Sequence, residues 1–309
     1  MPLARRTHHD WHLRTRTLPL GARTFIMGVL NVTPDSFSDG GLYYSPTHAP
    51  ERALTQALKM LDEGADILDL GGESTRPNAT PLTPEEEQSR VLPVIESLLK
   101  QRPATILSID TYHASTARRA IEAGAEIVND VSGHLWDPAM SATCAELRCG
   151  TILMHTRGRP QDWPTLPKLA PGEVLPLIIK ELNERLTSIT AAGILQEKIA
   201  LDPGLGFGKR LDENYPILAH LQSLHEFRLP LLIGASRKRF LTNTLTHTAA
   251  LATVLQGEPP TMDDRLHATT AANVAAILNG AHILRVHDVR ATVEAAAIAD
   301  RILTATEET

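Results

Sequence analysis

Aromatic residues and cysteines are both scarce in this sequence of 309 residues. Aromatic residues make up only 4% of it, so aliphatic side chains must build the core that its 42% hydrophobic content allows. The only cysteines are Cys144 and Cys149. Two cysteines argue against a disulfide framework and fit a reducing compartment, which predicts a cytoplasmic protein.

An excess of positive charge and a long apolar run are also missing. The formal net charge is −6, which gives no electrostatic reason to expect nucleic-acid binding. No apolar run approaches the roughly 20 residues that a membrane helix needs. Residues 1–23 are rich in Arg and His but lack the apolar core of a secretory signal, and a cleaved organellar peptide remains an alternative there.

Short apolar runs that end in a polar residue alternate with helical patterns along the remaining chain. Eight such runs predict strands: Thr24–Asn31, Ala65–Gly71, Thr105–Asp110, Glu126–Asp130, Thr151–His155, Ile199–Asp202, Pro230–Ser236 and His282–His287. Each strand is followed by a helix, which indicates parallel βαβ units.

The count of eight units favours an α/β fold of the (β/α)8 or TIM-barrel type, as one domain over residues 24–309. A doubly wound open sheet is the alternative, but it has no reason to stop at eight strands. Residues 1–23 then form an N-terminal basic arm. Alternation over Trp11–Leu18 predicts a strand in this arm that pairs with Thr24–Leu30 as a hairpin and plugs the closed end of the barrel.

The first predicted strand runs into an unusually polar connection. After Asn31 the sequence is small, polar and turn-prone up to about Thr47, with Asp35 among its oxygen-bearing residues. A connection of this length without periodicity is typical of a functional lid, a disordered segment or an ordinary polar loop.

Polar residues stand at nearly every predicted strand end, and a barrel carries its chemistry at the carboxyl ends of its strands. These residues are Asn31, Asp69, Asp110, Asn129 with Asp130, His155, Asp202, Ser236 with Lys238, and Arg285 with His287. One alone could be a helix cap. The whole set predicts a convergent site.

The set divides by chemistry into two rims. Asp110, Asn129 and Asp202 offer acceptors to a flat heterocycle with adjacent N–H groups. A basic rim suits a phosphate-type anion, and it consists of Arg76, Lys238, Arg285 and His287. Asn31 could hold Mg²⁺ whose other ligands come from phosphate and water.

Other motifs fail on inspection. Asp202–Lys209 looks like a phosphate loop, but it lacks the leading glycine, and Arg210 stands where Ser or Thr is required. The histidines show no zinc-binding spacing. No nucleophile–base pair is evident, so covalent catalysis has no support.

A series of motifs, in order along the chain from about Thr24 onward, resembles the dihydropteroate synthase family. The motifs are Asn31–Gly41, Asp69–Pro77, Ser108–Thr111, Asn129–Asp130, Met154–His155, Asp202–Gly208, Gly234–Lys238 and Arg285–Asp288. Any one is weak, but all of them in order, each at a strand end, are specific to this family.

The resemblance implies a TIM barrel that condenses 6-hydroxymethyl-7,8-dihydropterin diphosphate with p-aminobenzoate and releases diphosphate. Its cofactor would be Mg²⁺, with Asn31 as the residue that binds the metal. The resemblance also implies a homodimer. Implied catalytic residues are Asp35, Arg76 and Lys238. Implied pterin-binding residues are Asp110, Asn129, Met154, Asp202 and Lys238. Implied p-aminobenzoate-binding residues are Thr75, Arg76, Pro77, Phe207 and Lys238. Implied diphosphate-binding residues are Asn31, Arg285 and His287.

The chain departs from the family pattern at a few positions. Asn78 stands where Gly is usual, and Arg239 follows Lys238 where many members have Ser. Thr156 and Arg157 also differ from the usual residues.

Two other functions remain as alternatives: a methyltetrahydrofolate:corrinoid methyltransferase module, and a catalytically silent paralogue that binds pterin or a partner protein. The first would not need the Asn31–Gly41 loop, and the second should have lost site residues.

Overall fold

The computed structural model describes residues 6–33, 49–73, 81–255 and 258–307. The described chain opens with an antiparallel hairpin of β1, His9–His12, and β2, Thr17–Leu20. An N-terminal hairpin is therefore confirmed, but the predicted pairing with Thr24–Leu30 is wrong. The strands β1 and β2 pair with each other around a turn at residues 13–16, and Phe25–Asn31 pairs inside the barrel.

Eight parallel strands follow and form the barrel. They are β3 Phe25–Asn31, β4 Ile67–Gly71, β5 Ile106–Asp110, β6 Ile127–Asp130, β7 Gly150–Met154, β8 Ile199–Asp202, β9 Leu232–Ile233 and β10 Ile283–Val286. Their order around the sheet is β8-β7-β6-β5-β4-β3-β10-β9. The ring closes where Leu201 of β8 bridges Leu231 beside β9, and Leu201 N donates to Pro230 O at 2.8 Å. The predicted α/β barrel is therefore confirmed.

Helices cover the outside of the strands. They are α1 Ala49–Asp62, α2 Pro84–Gln101, α3 Ala114–Glu122, α4 Met140–Leu147, α5 Pro171–Ala191, α6 Tyr215–Ala219, α7 Arg239–His247, α8 Ala249–Leu255, α9 Met262–Leu278 and α10 Val289–Glu307. Gly64, Gly124 and Gly280 follow helices with φ of +102°, +115° and +95°, the left-handed backbone at which many helices end. None of the described helices has the length and apolar character needed to cross a bilayer.

The core has two parts. The larger part fills the layer between the strands and the helices. The smaller part lies at the amino ends of the strands, where Trp11, Leu13 and Leu20 of the hairpin pack against Met27 and Ile283 of the barrel. All five side chains are nearly or fully buried, so the hairpin plugs this end and leaves the opposite end for a site.

Two stretches depart from one regular helix per strand. After β8, the short helix α6 lies between two 3₁₀ turns, and the second turn, Leu221–Phe227, buries Leu221, Leu224 and Phe227. This spacing of three matches the three residues per turn of a 3₁₀ helix. After β9, the two helices α7 and α8 precede α9.

Candidate active site at the carboxyl end of the barrel

Arg285 joins the polar residues at the carboxyl rim. It lies on β10, and its Nε donates to Asp69 Oδ2 at 2.6 Å while its Nη2 donates to Asp110 Oδ2. Asn129 Nδ2 donates to the same Asp69 oxygen at 2.9 Å. Side chains from β4, β5, β6 and β10 thus meet in one network inside the mouth, which confirms that these strand ends converge.

This network changes one expectation. The sequence placed Arg285 on a basic rim apart from Asp110, but in the structure the two form an ion pair. Asp69 is fully buried and Arg285 is largely buried, and an unpaired charge in such a place would cost several kcal/mol. The guanidinium group therefore faces the two carboxylates, and the acceptor and basic rims share Arg285.

Asn31 faces the same gap from β3. A Cβ atom added to Gly71 would lie 3.8 Å from Asn31 Oδ1 and 3.6 Å from Asp110 Cβ. A side chain at Gly71 would therefore enter the space between the amide and the carboxylate. With glycine at position 71, no side chain stands between the amide oxygen of Asn31 and the carboxyl group of Asp110.

Burial shifts the acidities of the rim carboxyl groups. The pKa of Asp110 rises to about 7 because desolvation outweighs the opposing pull of Arg285. The pKa of Asp202 is also raised by burial, and the backbone N–H of Gly204, which donates to its Oδ1 at 2.7 Å, opposes that rise. Asp110 therefore changes charge near neutral pH, where it can act as acceptor or donor.

Lys238 lies above the ring of Phe207. Its Nζ is 4.1 Å from the ring centroid, a cation–π distance. Burial lowers the pKa of Lys238 to about 8. The ammonium group and the ring belong to different βα connections, after β9 and β8, and together they make a flat apolar surface with a cation over it.

The glycine-rich connection that carries Phe207 is held by its own lysine. Lys209 is buried, and its Nζ donates to the carbonyl oxygens of Gly204 at 2.8 Å, His155 at 3.1 Å and Phe207 at 3.2 Å. A lysine that binds three backbone carbonyls is not presented to a phosphate. This agrees with the prediction that the segment is not a phosphate loop.

His287 lies beside Ser236 with its Nδ1 3.0 Å from Ser236 Oγ. Burial lowers the pKa of His287 to about 3, and Arg237 and Arg285 lower it further. The imidazole is therefore neutral at pH 7, and its part in the predicted basic rim would be a hydrogen bond, without a positive charge.

Two strand-end residues do not join the rim. Asp130 accepts from the N–H groups of Ser132 at 2.7 Å and His134 at 3.0 Å, so it orders its own connection. His155 is buried with Nε2 3.1 Å from Glu181 Oε2 on α5. Both follow a residue that faces the barrel interior, and side chains alternate between the two faces along a strand. Including them in a convergent site was wrong.

Comparison with known proteins settles the family. A family profile described as "Pterin binding enzyme" matches residues 27–287. Dihydropteroate synthase of Escherichia coli K12 is 40% identical over 91% of this chain and 93% of its own length. The Bacillus subtilis dihydropteroate synthase is 38% identical over 94% and 93%.

This chain belongs to the dihydropteroate synthase family. Solved structures of the family agree with the fold. The Xanthomonas albilineans dihydropteroate synthase with 4-aminobenzoic acid gives a TM-score of 0.82 at 39% identity and covers 96% of this chain and 98% of that one. The Yersinia pestis enzyme in a sulfonamide drug complex gives 0.81 at 38% identity, with 97% and 100% covered. These enzymes are transferases, and so is this chain.

The described residues include most of the positions that the family motifs single out. Met154 ends β7 and is buried. The other described site residues lie at or just after the carboxyl ends of the strands, and they are Asn31, Asp110, Asn129, Asp202, Phe207, Lys238, Arg285 and His287. The predicted site residues Asp35, Thr75, Arg76 and Pro77, and the departure Asn78, lie outside the described residues. Arg239 is exposed and lines a basic cavity of about 350 Å³ with Arg237 and Arg265.

A magnesium ion fits the rim only with help from substrate. Among the described residues no group of three or more His, Cys, Asp or Glu side chains could hold a metal ion. Asn31 supplies one amide oxygen. Mg²⁺ commonly takes one or two protein ligands and completes its shell with water and substrate phosphate oxygens, so the residues fit a metal that arrives with a diphosphate.

Sequence reasoning missed the roles of three residues in this family site. Asp69 was noted as a strand-end residue, but nothing in the pattern showed that it joins Arg285 to Asn129. Lys209 was read only as a failed motif. Arg157 was noted only as a departure, yet it is buried and donates to Gly208 O at 3.1 Å and Pro167 O at 3.1 Å. Each role depends on contacts between distant strands or loops, which periodicity does not report.

Proposed function

We propose that this chain is an active dihydropteroate synthase, which condenses 6-hydroxymethyl-7,8-dihydropterin diphosphate with p-aminobenzoate to give 7,8-dihydropteroate and diphosphate. The observation that carries the proposal is the network in which Arg285 joins Asp69 and Asp110 beside Asn129. A set of buried acceptors next to a cation suits a substrate with a donor-rich ring and a phosphate-bearing arm.

The pterin would bind to the acceptor side of this network. Asn129 uses its amide N–H₂ on Asp69, which leaves its oxygen to accept from a ring N–H group. Asp69 Oδ1 is buried and has no hydrogen-bond partner among the described residues. Asp110 and Asp202 add carboxyl groups, and Lys238 and Met154 complete the proposed pterin set. Unpaired buried acceptors favour a ligand that brings donors.

The diphosphate would lie against Asn31, Arg285 and His287. Arg285 would supply the positive charge that faces the diphosphate, and neutral His287 can donate one N–H to it. When bound, Mg²⁺ would neutralise charge on the diphosphate, with Asn31 as its protein ligand. Stabilising the leaving group in this way lowers the barrier to breaking its bond to carbon.

The p-aminobenzoate would lie on the Phe207–Lys238 surface, bordered by Thr75, Arg76 and Pro77. We propose that the carbon–oxygen bond to diphosphate breaks first, and that the electron-rich pterin spreads the positive charge left on its methylene carbon. The aryl amine then attacks this carbon through its nitrogen lone pair and loses a proton. An aromatic amine needs no strong base for this step, and Asp35, Arg76 and Lys238 are the proposed catalytic residues.

The experiment is diphosphate release by the purified protein, with both substrates and Mg²⁺, in the wild type and in Asn31→Ala and Lys238→Ala variants. The matched control is Lys180→Ala, because Lys180 is 73% exposed on α5 and, within the described part of the chain, pairs only with Glu184. We expect release to depend on both substrates and on Mg²⁺, to collapse in the two site variants and to persist in the control.

Tight pterin binding without diphosphate release would refute the synthase. It would favour the silent paralogue or the methyltransferase module. Adding methyltetrahydrofolate and a corrinoid acceptor would then distinguish these two, because only the methyltransferase would move a methyl group.

We also propose a homodimer and a cytoplasmic location. Ile298 and Ile302 lie one turn apart on α10 and are 67% and 43% exposed, which supports an apolar contact between two copies. Light scattering should give twice the mass of 33.7 kDa, and Ile298→Glu should lower it, whereas Arg290→Glu on the same helix should not.

The proposed cytoplasmic location is supported by Cys144 and Cys149, which are free buried thiols and fit a reducing compartment. A fluorescent fusion would test this location.

A further inference from the structure

Trp163 packs against the ring that carries Lys238. It lies in the connection between β7 and α5, in a 3₁₀ turn over Trp163–Thr165. Its ring centroid is 5.6 Å from that of Phe207, and the two planes meet at 86°. Phe207 in turn lies under the Lys238 ammonium group. The three side chains form a continuous stack that runs from an outer loop to the mouth of the barrel.

Hydrogen bonds from Lys209 and Arg157 hold the backbone around Phe207, but they are made to the carbonyl oxygens of Phe207 and Gly208. Gly206 and Gly208 flank Phe207 with φ of +81° and +68°. Because glycine has no side chain, neither neighbour packs against the ring, and the orientation of the ring depends on other contacts. Lys238 contacts the ring from the site, and Trp163 contacts it from the outer loop.

The outer loop is fastened on both sides of Trp163. Arg157 is buried, donates to Gly208 O and Pro167 O, and lies 3.6 Å from Glu213. Arg210 donates to Leu166 O at 2.7 Å. These contacts hold the loop against the glycine-rich connection, so the position of the indole ring is set before any substrate binds.

Contact with Phe207 is the interaction that explains where the Trp163 ring lies. Its indole N–H is buried and has no acceptor among the described residues. A tryptophan placed for a hydrogen bond would have one. Edge-to-face packing of two aromatic rings is favourable at this distance and angle.

We propose that Trp163 is a positioning residue for the reaction, which acts by holding the Phe207 ring in place under the Lys238 ammonium group and so fixes the surface that receives the aryl amine. The proposal rests on the function proposed above. It assigns to the β7–α5 loop a role mainly in binding p-aminobenzoate, because the pterin acceptors Asp110, Asn129 and Asp202 lie at the ends of β5, β6 and β8.

The test compares Trp163→Leu and Trp163→Phe with a control in the same loop, Thr165→Ala. Thr165 is exposed, and among the described residues its hydroxyl donates only to Asp162 O. Steady-state kinetics would give KM for each substrate separately. The pKa of Lys238 would be measured by NMR of ¹³C-labelled lysine, with its signal assigned by Lys238→Arg, so that one readout needs no turnover.

Trp163→Leu should raise KM for p-aminobenzoate about two- to tenfold, which is the range expected from the loss of one aromatic contact. KM for the pterin diphosphate should rise less, because Lys238 is only one member of the proposed pterin set and the acceptors Asp110, Asn129 and Asp202 lie outside the Trp163–Phe207 contact. The pKa of Lys238 should rise toward its ordinary value, because burial lowers it and a loosened ring admits water. Trp163→Phe keeps an aromatic ring and should restore most of both properties, and Thr165→Ala should change neither.

Unchanged p-aminobenzoate KM and unchanged Lys238 pKa in Trp163→Leu would overturn the proposal. Equal rises in KM for both substrates would also overturn it, because they would indicate general damage. If the wild type releases no diphosphate, the proposed function fails, and the NMR titration still decides whether Trp163 positions Lys238. Trp163→Met is the second variant if Trp163→Leu does not fold.

Discussion

Gly204 is the position where one added methyl group should do most harm. Its φ is +67°, and a Cβ atom there would lie 1.9 Å from the carbonyl oxygen of His155, a contact that real Cβ atoms do not make. Gly204→Ala therefore combines left-handed backbone, which costs about 1–2 kcal/mol for an L-residue, with overpacking of about 1–3 kcal/mol. The sum is a loss of about 2–5 kcal/mol.

The strain should also reach the site. The N–H of Gly204 donates to Asp202 Oδ1, and the carbonyls of Gly204 and His155 both bind Lys209. To relieve the clash, the backbone at Gly204 or at His155 must move. Through these hydrogen bonds, that movement would displace Asp202 or Phe207. A misplacement of about 1 Å in a site can cost about a hundredfold in rate, so we expect kcat/KM to fall about ten- to a hundredfold.

Thermal unfolding and diphosphate release would check both effects. For a chain of this size the free-energy loss corresponds to a drop in Tm of about 3–10 °C. The matched control is Gly172→Ala, the same chemical change in the first turn of α5, where a Cβ atom would meet nothing within 4 Å. The control should keep its activity and keep or slightly raise its Tm, because alanine favours helix. If Gly204→Ala matched the control in both assays, the strain argument would be refuted.

Three further predictions concern charge. First, kcat/KM should fall below about pH 7 as Asp110 gains a proton and above about pH 8 as Lys238 loses one, and Lys238→Arg should remove the alkaline limb of the measured profile. A rate that is flat from pH 6 to 9 would contradict both roles. Second, Arg239→Ser should raise KM for p-aminobenzoate by about two- to fivefold, the value of one exposed ion pair, and leave KM for the pterin diphosphate unchanged; an equal change in both would exclude a contact with the carboxylate. Third, Lys209→Met should destabilise the protein by about 2–4 kcal/mol in urea unfolding because three buried carbonyls lose their donor; stability equal to that of Lys180→Ala would show that other donors replace the lysine.

The barrel could be predicted from the sequence because its signal is local and repeated. Each strand is a short apolar run such as Ile106–Asp110, and each is followed by at least one helix. The predicted strand Pro230–Ser236 was too long, since β9 is Leu232–Ile233 only. The residues that flank β9 in sequence are also apolar. The strand stops before Gly234, and the backbone turns at Arg237, which is left-handed with φ of +59°. Apolar character alone does not report that ending.

Strand ends located the site, but they did not give the partners of its residues. Asp110, Asn129 and Asp202 were found because each is polar where a buried run stops. Asp130 and His155 satisfy the same rule and lie outside the rim, because a rule based on strand ends does not separate the two faces of a strand. The alternation of side chains would have done so if the register of each strand had been known.

Arg285 shows most clearly what a chain pattern leaves out. As a basic residue near the end of a strand it was assigned to an anion from its charge, and the family resemblance implied the same role. The structure adds that two carboxylates from β4 and β5 already neutralise it, through Asp69 and Asp110. A diphosphate that approaches Arg285 must therefore share it with Asp110, so binding of the anion and the charge of the pterin-side carboxyl group are coupled. Protonation of Asp110 should strengthen the hold of Arg285 on diphosphate but remove the carboxylate acceptor, and the predicted fall in kcat/KM below about pH 7 requires that loss of the acceptor be the larger effect.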